Sequence, residues 1–252
     1  MKKPRGLAFV TATAASLMLG VSAVIPTFAA NPDQNESRPN NEITQPAIAN
    51  TTAGQIYGYR DRGVYTFKGI PYAQAARFEE PQDPTHWSGV KSTLSYGAVC
   101  PNGATKVSQF EFMSPSANDL VPSEDCLFAN VWTQSLEPTA KKPIVLFIHG
   151  GGYTSGASNE LPYYEGKGIS SKGDAVFVSV NHRLNVLRFM DLSAYGAQYK
   201  HSGNLGMLDL IKALQWVKAN AENFGGDPNN VTIMGQSGGG GKVLSLFGSP
   251  MA

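Results

Sequence analysis

The chain has 252 residues, of which 42% are hydrophobic and 15% are charged, and its formal net charge at pH 7 is +1. This length is enough for one large domain or two small ones, and the composition is that of an ordinary globular protein. A net charge so close to zero gives no basis for binding nucleic acid or an anionic membrane surface. The two cysteines, Cys100 and Cys126, are too few for a small domain held together mainly by disulfides.

The N-terminus has the pattern of an export signal. Basic residues at positions 2, 3 and 5 precede an apolar run from Leu7 to Val24, and Thr27 and Ala29 supply small residues for a cleavage site. We therefore predict a signal peptide over residues 1–29 and a secreted protein. An uncleaved membrane anchor is the alternative, because the apolar run is nearly long enough to span a bilayer.

A polar segment rich in Asn, Pro, Gln and Thr follows over residues 30–54. It contains almost no large apolar side chains, so burial would not offset the entropy lost on ordering it. We predict a disordered linker over residues 30–54 and a globular domain over residues 55–252.

Strand and helix patterns alternate along this domain. It opens on a hairpin, in which Ile56–Tyr59 and Val64–Phe67 flank the turn residues Asp61-Arg62-Gly63. Three later apolar runs do not alternate with polar residues and are predicted as strands covered on both faces: Leu127–Trp132, Ile144–Ile148 and Ala175–Val180. The remaining elements are an amphipathic helix over Leu205–Ala221 with Asn204 as its N-cap, a strand over Val231–Met234 and a helix over Lys242–Phe247. Strands alternating with helices indicate an α/β fold.

The segment Gly235-Gln236-Ser237-Gly238-Gly239 lies between this last strand and helix, and has the spacing G-x-S-x-G. A serine on a sharp strand-to-helix turn adopts a strained backbone conformation and exposes its hydroxyl group. Glycines two residues before and after it remove the Cβ atoms that would collide in the turn. Ser237 is therefore the predicted nucleophile. The alternative is a glycine-rich loop without a catalytic role, because so short a pattern also occurs by chance.

A second glycine-rich segment, His149-Gly150-Gly151-Gly152-Tyr153, follows the predicted strand that ends at Ile148. Backbone N–H groups of consecutive glycines can approach a developing oxyanion, and each preorganised donor contributes about 3–4 kcal/mol in the transition state. We predict Gly151 and Gly152 as two donors and Gly238 as the third. A phosphate-binding loop is the alternative, although no lysine follows at the required spacing. His149 could be the catalytic base, but we expect it to anchor the loop by a hydrogen bond.

Together these motifs resemble the type B carboxylesterases, the family that includes para-nitrobenzyl esterases and cholinesterases. The resemblance extends from Gln55 to the end, and its segments are Phe67–Ala73, Ser123–Leu127, His149–Tyr153, Asn181–Leu184, Gly203–Gly206 and Phe224–Pro228. It implies an α/β-hydrolase fold, with a mostly parallel central sheet flanked by helices. It also implies hydrolysis of a small-molecule carboxylic ester through a serine acyl-enzyme, without a cofactor or metal, and without a nucleic-acid or stable membrane partner.

The resemblance further implies a disulfide between Cys100 and Cys126, because the cysteine in the segment Ser123–Leu127 pairs with an upstream cysteine in that family. Export favours this bridge, and two buried thiols are the alternative. Gln236 and Gly238 replace the acidic residue and the alanine that usually flank the serine, and His182 replaces a commoner tyrosine. Arg188 stands where a glycine is expected, and its side chain either disturbs packing beside the pocket or is exposed.

The catalytic acid and histidine do not appear where the resemblance places them. In α/β-hydrolases both follow the serine along the chain, whereas residues 238–252 contain no Asp, Glu or His. We predict that the chain is the N-terminal half of the fold, inactive alone, and that the missing C-terminal half is its partner. One alternative is a rewired triad in which His182 or His201 acts with Asp209. Two further alternatives are a non-catalytic cholinesterase-like interaction protein and a non-functional gene fragment.

Overall fold

The computed structural model of the chain describes residues 45–101 and 120–252. The predicted signal peptide and residues 30–44 of the predicted linker lie outside them. The described part contains one eight-stranded sheet flanked by helices, which confirms the α/β fold class. The strands are β1 Gln45–Thr51, β2 Gly54–Asp61, β3 Val64–Pro71, β4 Val90–Ser92, β5 Phe128–Thr133, β6 Lys142–Ile148, β7 Val176–Val180 and β8 Gly226–Gly235. The helices are α1 Lys167–Gly173, α2 Val186–Phe189, α3 Leu205–Asn220 and α4 Gly238–Phe247.

The sheet has the strand order β1-β2-β3-β5-β7-β6-β8, with β4 beside β2. It is mixed, not mostly parallel as predicted: β6 is parallel to β7 and to β8, and β4 to β2, whereas the other neighbouring pairs are antiparallel. Short turns can join only antiparallel strands, and the N-terminal strands are joined in this way. The predicted hairpin joins β2 and β3, and Arg62 and Gly63 in its turn both have positive φ.

The predicted linker is wrong over residues 45–54. Gln45–Thr51 forms β1, which pairs antiparallel with β2, and β2 begins at Gly54. Ala47 and Ala49 alternate with exposed residues and are buried against the core, each 5% exposed. The segment is therefore stabilised by hydrogen bonds to β2 and by the burial of small side chains. A prediction based on large apolar residues overlooks both contributions.

The three central strands are covered on both faces, as their unbroken apolar runs predict. On one face, Val131, Leu146 and Val178 join the main core, to which α3 contributes Leu210 and Trp216. On the other face, a second cluster contains Val64, Trp132, Phe147, Tyr164 and Phe177. The parallel strands β6, β7 and β8 end at a common edge, and packing on both faces fixes β6 and β7 there.

The C-terminal elements begin earlier than the sequence pattern predicts. Strand β8 starts at Gly226, because Lys142 and Gly226 already pair across a register shift, and α4 starts at Gly238, directly after the serine. Asn204 precedes α3 as predicted, but its side chain makes no capping hydrogen bond, since a 3-10 turn over Ser202–Asn204 leads straight into the helix. The outer edge of β8 has no strand partner among the described residues.

Cys100 and Cys126 form a disulfide, which confirms the predicted bridge. Both cysteines are buried in the main core, and they are 26 positions apart in the chain. In the loop-entropy model, closing a loop of this length stabilises the fold by about 3.5 kcal/mol.

In the described part of the chain, no helix has the length and apolar character needed to cross a membrane.

Candidate active site

Three loops meet at the carboxyl ends of the parallel strands, the part of an α/β sheet where ligands usually bind. The first is the glycine loop His149–Tyr153 after β6, the second is Asn181–Leu184 after β7, and the third is the Gln236–Ser237 turn after β8. The amide of Gln236 donates to the carbonyl of Ile148 at 3.2 Å, which joins the third loop to the end of β6, where the first loop begins. The sheet therefore brings the two predicted catalytic segments together.

Ser237 occupies the strained turn that its motif predicts. Its φ is 51° and its ψ is −119°, a region that residues with a Cβ rarely adopt, and its side chain is exposed. A Cβ atom at Gly235 would overlap the backbone of Gly239, and one at Gly239 would overlap the carbonyl oxygen of Ile148. Both flanking glycines are thus required by close backbone approach. The hydroxyl of Ser237 has no hydrogen-bond partner among the residues described.

The glycine loop lies against the N-terminus of α4. Gly151 and Gly152 have φ values of 81° and 61°, and the amides of Thr154 and Ser155 donate to the Gly151 carbonyl to close a turn. A Cβ atom at Gly238 would lie only 2.5 Å from the Cα atom of Gly152. The second and third predicted donors are therefore immediate neighbours.

The amides assigned to the oxyanion have no competing partner in the described structure. Gly151 and Gly152 donate no backbone hydrogen bond there, and Gly238 is the first residue of α4, whose N–H has no intrahelical acceptor. The positive end of the α4 dipole adds a further preference for negative charge at this point. The arrangement can bind an oxyanion beside the Ser237 hydroxyl.

Two supports of this site were missed at the sequence level. The hydroxyl of Tyr164 donates to the side-chain oxygen of Gln236 at 3.1 Å, and that oxygen packs directly on Gly150. The ammonium group of Lys242 donates to the carbonyl of Gly152 at 2.7 Å. The sequence offered no usable signal for Lys242, because the predicted helix begins at Lys242, whereas α4 begins at Gly238 and places the two residues four positions apart on one helix.

His149 has the structural role that we expected. It is 1% exposed, and its Nδ1 donates to the carbonyl of Gly150 at 3.0 Å, while its ring stacks on His182 with centroids 4.5 Å apart. Burial, together with the charge of Lys242, lowers the pKa of His149 to about 3. Burial also lowers the pKa of His182 well below its usual range. Both rings are neutral at pH 7 and anchor the two loops against each other.

The groups proposed for a rewired triad are engaged elsewhere. Asp209 is fully buried and accepts hydrogen bonds from the amide and guanidinium of Arg183, with a closest distance of 2.7 Å. Neither ring nitrogen of His182 has a partner in the described structure. His201 lies at the surface, 3.8 Å from Glu80. The described residues thus place no acid–histidine pair at Ser237.

Arg188 is fully buried, so of the two alternatives the exposed one is wrong. Its guanidinium lies 4.3 Å from the ring centroid of Phe189 and 5.0 Å from that of Tyr153, and its Nη2 contacts the sulfur of Met207 at 3.2 Å. The side chain passes so close to Gly206 that a Cβ atom there would overlap it. Burial lowers the pKa of Arg188 to about 10, so that it remains charged at neutral pH.

No cluster of three or more His, Cys, Asp or Glu residues in the described part is suited to hold a metal ion.

Comparisons with known proteins agree with this geometry. The model of the carboxylesterase family matches residues 45–252. The para-nitrobenzyl esterase of Bacillus subtilis (strain 168) is 38% identical over 210 residues, which cover 81% of this chain and 41% of that protein. The phenmedipham hydrolase of Pseudarthrobacter oxydans is 34% identical over 221 residues, which cover 83% and 41%.

Solved structures give the same result. An esterase from Clostridium hathewayi, described as able to hydrolyse aliphatic aromatic polyesters, has a TM-score of 0.79 and 47% identity over 82% of this chain and 42% of its own. The carboxylesterase EST55 of Geobacillus stearothermophilus has a TM-score of 0.72 and 37% identity over 81% and 40%. These neighbours have the α/β-hydrolase fold, which confirms the fold inferred from the motifs. The chain spans about 40% of the length of the relatives it matches. Since the family match begins at residue 45, the first residue of β1, and runs to residue 252, the chain belongs to the carboxylesterase family.

Proposed function

We propose that this chain carries the nucleophile and oxyanion hole of a carboxylic-ester hydrolase that works through a serine acyl-enzyme. The observation that carries the proposal is the conformation of Ser237, which is strained, exposed and placed beside the glycine loop. Strain of this kind persists only where the surrounding structure enforces it, and it is concentrated at functional sites. A non-catalytic relative would have no need of either the serine or the unpaired glycine amides.

The proposed reaction has two steps. The hydroxyl oxygen of Ser237 attacks the ester carbonyl carbon while a base removes the hydroxyl proton, and the carbonyl oxygen becomes an oxyanion. The N–H groups of Gly151, Gly152 and Gly238 stabilise this charge, and the alcohol then leaves with a proton returned by the base. A water molecule attacks the acyl-enzyme in the same way, releasing the carboxylic acid and restoring the serine.

The acid and the histidine of the triad come, in this proposal, from a part of the fold outside this chain. The support is that no described histidine or carboxylate bonds to Ser237, while the relatives are more than twice as long as the matched region. The same missing part would cover the open edge of β8 and the apolar side chains of α4, where Leu244 is 76% and Phe247 is 93% exposed. Apolar side chains so exposed on one helix are typical of a surface that another segment covers.

The substrate is, by this proposal, a small-molecule carboxylic ester. The name of one relative supports this class, since the Bacillus subtilis protein is a para-nitrobenzyl esterase. We also propose that the protein is exported after cleavage of residues 1–29. The Cys100–Cys126 disulfide supports export, because such bridges persist mainly in oxidising compartments.

Covalent labelling tests the proposed nucleophile. The protein for this test is a fusion, called here the completed enzyme, in which residues 45–252 are followed by the C-terminal part of the Bacillus subtilis para-nitrobenzyl esterase that lies beyond the matched region. A fluorophosphonate probe should label it at Ser237, and Ser237→Ala should abolish labelling. The matched control is Ser245→Ala, which changes an exposed serine on the same helix and should leave labelling intact. Equal labelling of the Ser237→Ala protein would contradict the proposal.

A further inference from the structure

Lys242 occupies an unusual position for a lysine. It lies in the buried stripe of α4 with Gly239 and Leu246, and its side chain is fully buried. Lysine is almost never fully buried unless it is paired with an opposite charge. Among the described residues no carboxylate lies within ion-pair distance of it, so the position is costly and calls for a functional reason.

The contacts of Lys242 are directed at the glycine loop. Its ammonium group donates to the carbonyl of Gly152 at 2.7 Å and lies 5.3 Å from the ring centroid of Tyr153. Gly238 and Lys242 are four residues apart on α4 and therefore lie on the same face of the helix. One face of α4 thus contacts Gly152 twice, through the backbone of Gly238 and through the ammonium group of Lys242.

We propose that Lys242 is a positioning residue, whose hydrogen bond to the Gly152 carbonyl holds the glycine loop against the N-terminus of α4 and sets the spacing of the oxyanion donors Gly152 and Gly238. This inference rests on the proposed function and extends it to a residue that does not touch the substrate. Gly152 has a left-handed φ of 61° and no side chain, so a bond to its carbonyl is an effective constraint on its orientation.

The charges around Lys242 give this role a distinctive signature. Arg188 faces it from α2, while the neutral rings of His149 and His182 face it from the ends of β6 and β7. Burial, and then the charge of Arg188, lowers the pKa of Lys242 to about 7. The pKa of Lys242 is lower in the folded protein than in the unfolded chain. Between about pH 7 and the ordinary lysine pKa near 10.5, the unfolded chain therefore binds more protons than the folded protein. The stability of the protein relative to a Lys242→Met variant should therefore rise with pH across this window.

The test combines catalysis and stability in Lys242→Met, which keeps most of the side-chain volume. In the completed enzyme, kcat should fall about 10–100-fold while KM changes little, because misplaced donors weaken transition-state binding only. At pH 6, where the buried ammonium is charged in the parent chain, the variant should unfold at the same or a higher urea concentration than the parent. An unchanged kcat, or a loss of kcat together with lower stability at pH 6, would overturn the proposal. Lys218→Met, at an exposed lysine on α3, is the matched control and should leave kcat unchanged.

A measurement that needs no activity keeps the two proposals separable. The Tyr153 amide shares a peptide group with the Gly152 carbonyl, so its nitrogen chemical shift reports the bond from Lys242. In the chain of 252 residues this signal should titrate near pH 7, and the titration should vanish in Lys242→Met. If the completed enzyme neither reacts with the probe nor turns over while the titration is present, the proposed function fails but the contact stands. Absence of the titration in the parent chain would overturn the assignment of Lys242.

Discussion

Residues 45–252 expressed alone should hydrolyse a short-chain aryl ester up to about 10⁶-fold more slowly than the completed enzyme does. Without a base the Ser237 hydroxyl is a weak nucleophile at neutral pH, and the described residues offer it no hydrogen-bonded histidine. His149 does not replace the base, because its Nδ1 is engaged with Gly150 and burial lowers its pKa to about 3.

The measurement is the initial rate of release of the aryl alcohol at matched protein concentrations. Ser237→Ala in both proteins is the control for hydrolysis that does not use the site. Rapid turnover by residues 45–252 alone, abolished by Ser237→Ala, would contradict the prediction and would require a triad built from described residues. A rate in the completed enzyme that is as low as that of residues 45–252 alone, and that Ser237→Ala leaves unchanged, would count against the proposed nucleophile.

Two neighbouring glycines of α4 should respond in opposite directions to the same substitution. Gly239→Ala should lower the free energy of unfolding by about 3 kcal/mol or more, because the new Cβ atom would overlap the carbonyl oxygen of Ile148, a backbone atom at the end of β6. Gly240→Ala should raise it by about 0.5–1 kcal/mol, since its Cβ atom would meet nothing closer than 3.6 Å and alanine is the better helix former.

Urea unfolding of the two variants and of the unsubstituted protein, all made as the completed enzyme, measures this difference. The comparison is matched because both positions lie in the first turn of the same helix and lack a side chain in the parent. Ser237 labelling should fail in Gly239→Ala and persist in Gly240→Ala, since only the first change moves the turn. Similar stabilities for the two variants would show that the close approach of α4 to β6 is not what fixes the nucleophile.

The parts of the site that depend on local spacing were predictable from the sequence. Ser237 and its flanking glycines belong to one short turn, and Gly151 and Gly152 follow a strand that its apolar run identifies. The supports were not predictable, because their contacts join distant parts of the chain. Tyr164 is 72 residues from Gln236, and Lys242 is 90 residues from Gly152.

The errors in the fold have similar physical causes. The composition of residues 45–51 predicts a linker because the buried side chains of β1 are alanines, and a segment without large apolar side chains has the composition of a polar segment. The burial of Arg188 could not be inferred either, since it depends on space left by Gly206 and on the rings of Tyr153 and Phe189. A charged residue in a sequence is normally assigned to the surface, and only packing shows the exception.

The structure of the completed enzyme with a bound phosphonate tests the central claim most directly. A phosphonate linked to serine stands in for the tetrahedral intermediate, with its charged oxygen in place of the oxyanion. We predict a covalent bond from Ser237 Oγ to phosphorus, and a phosphonyl oxygen about 2.7–3.1 Å from the amide nitrogens of Gly151, Gly152 and Gly238. A phosphonate attached to another residue, or an oxygen that points away from these three amides, would contradict the account.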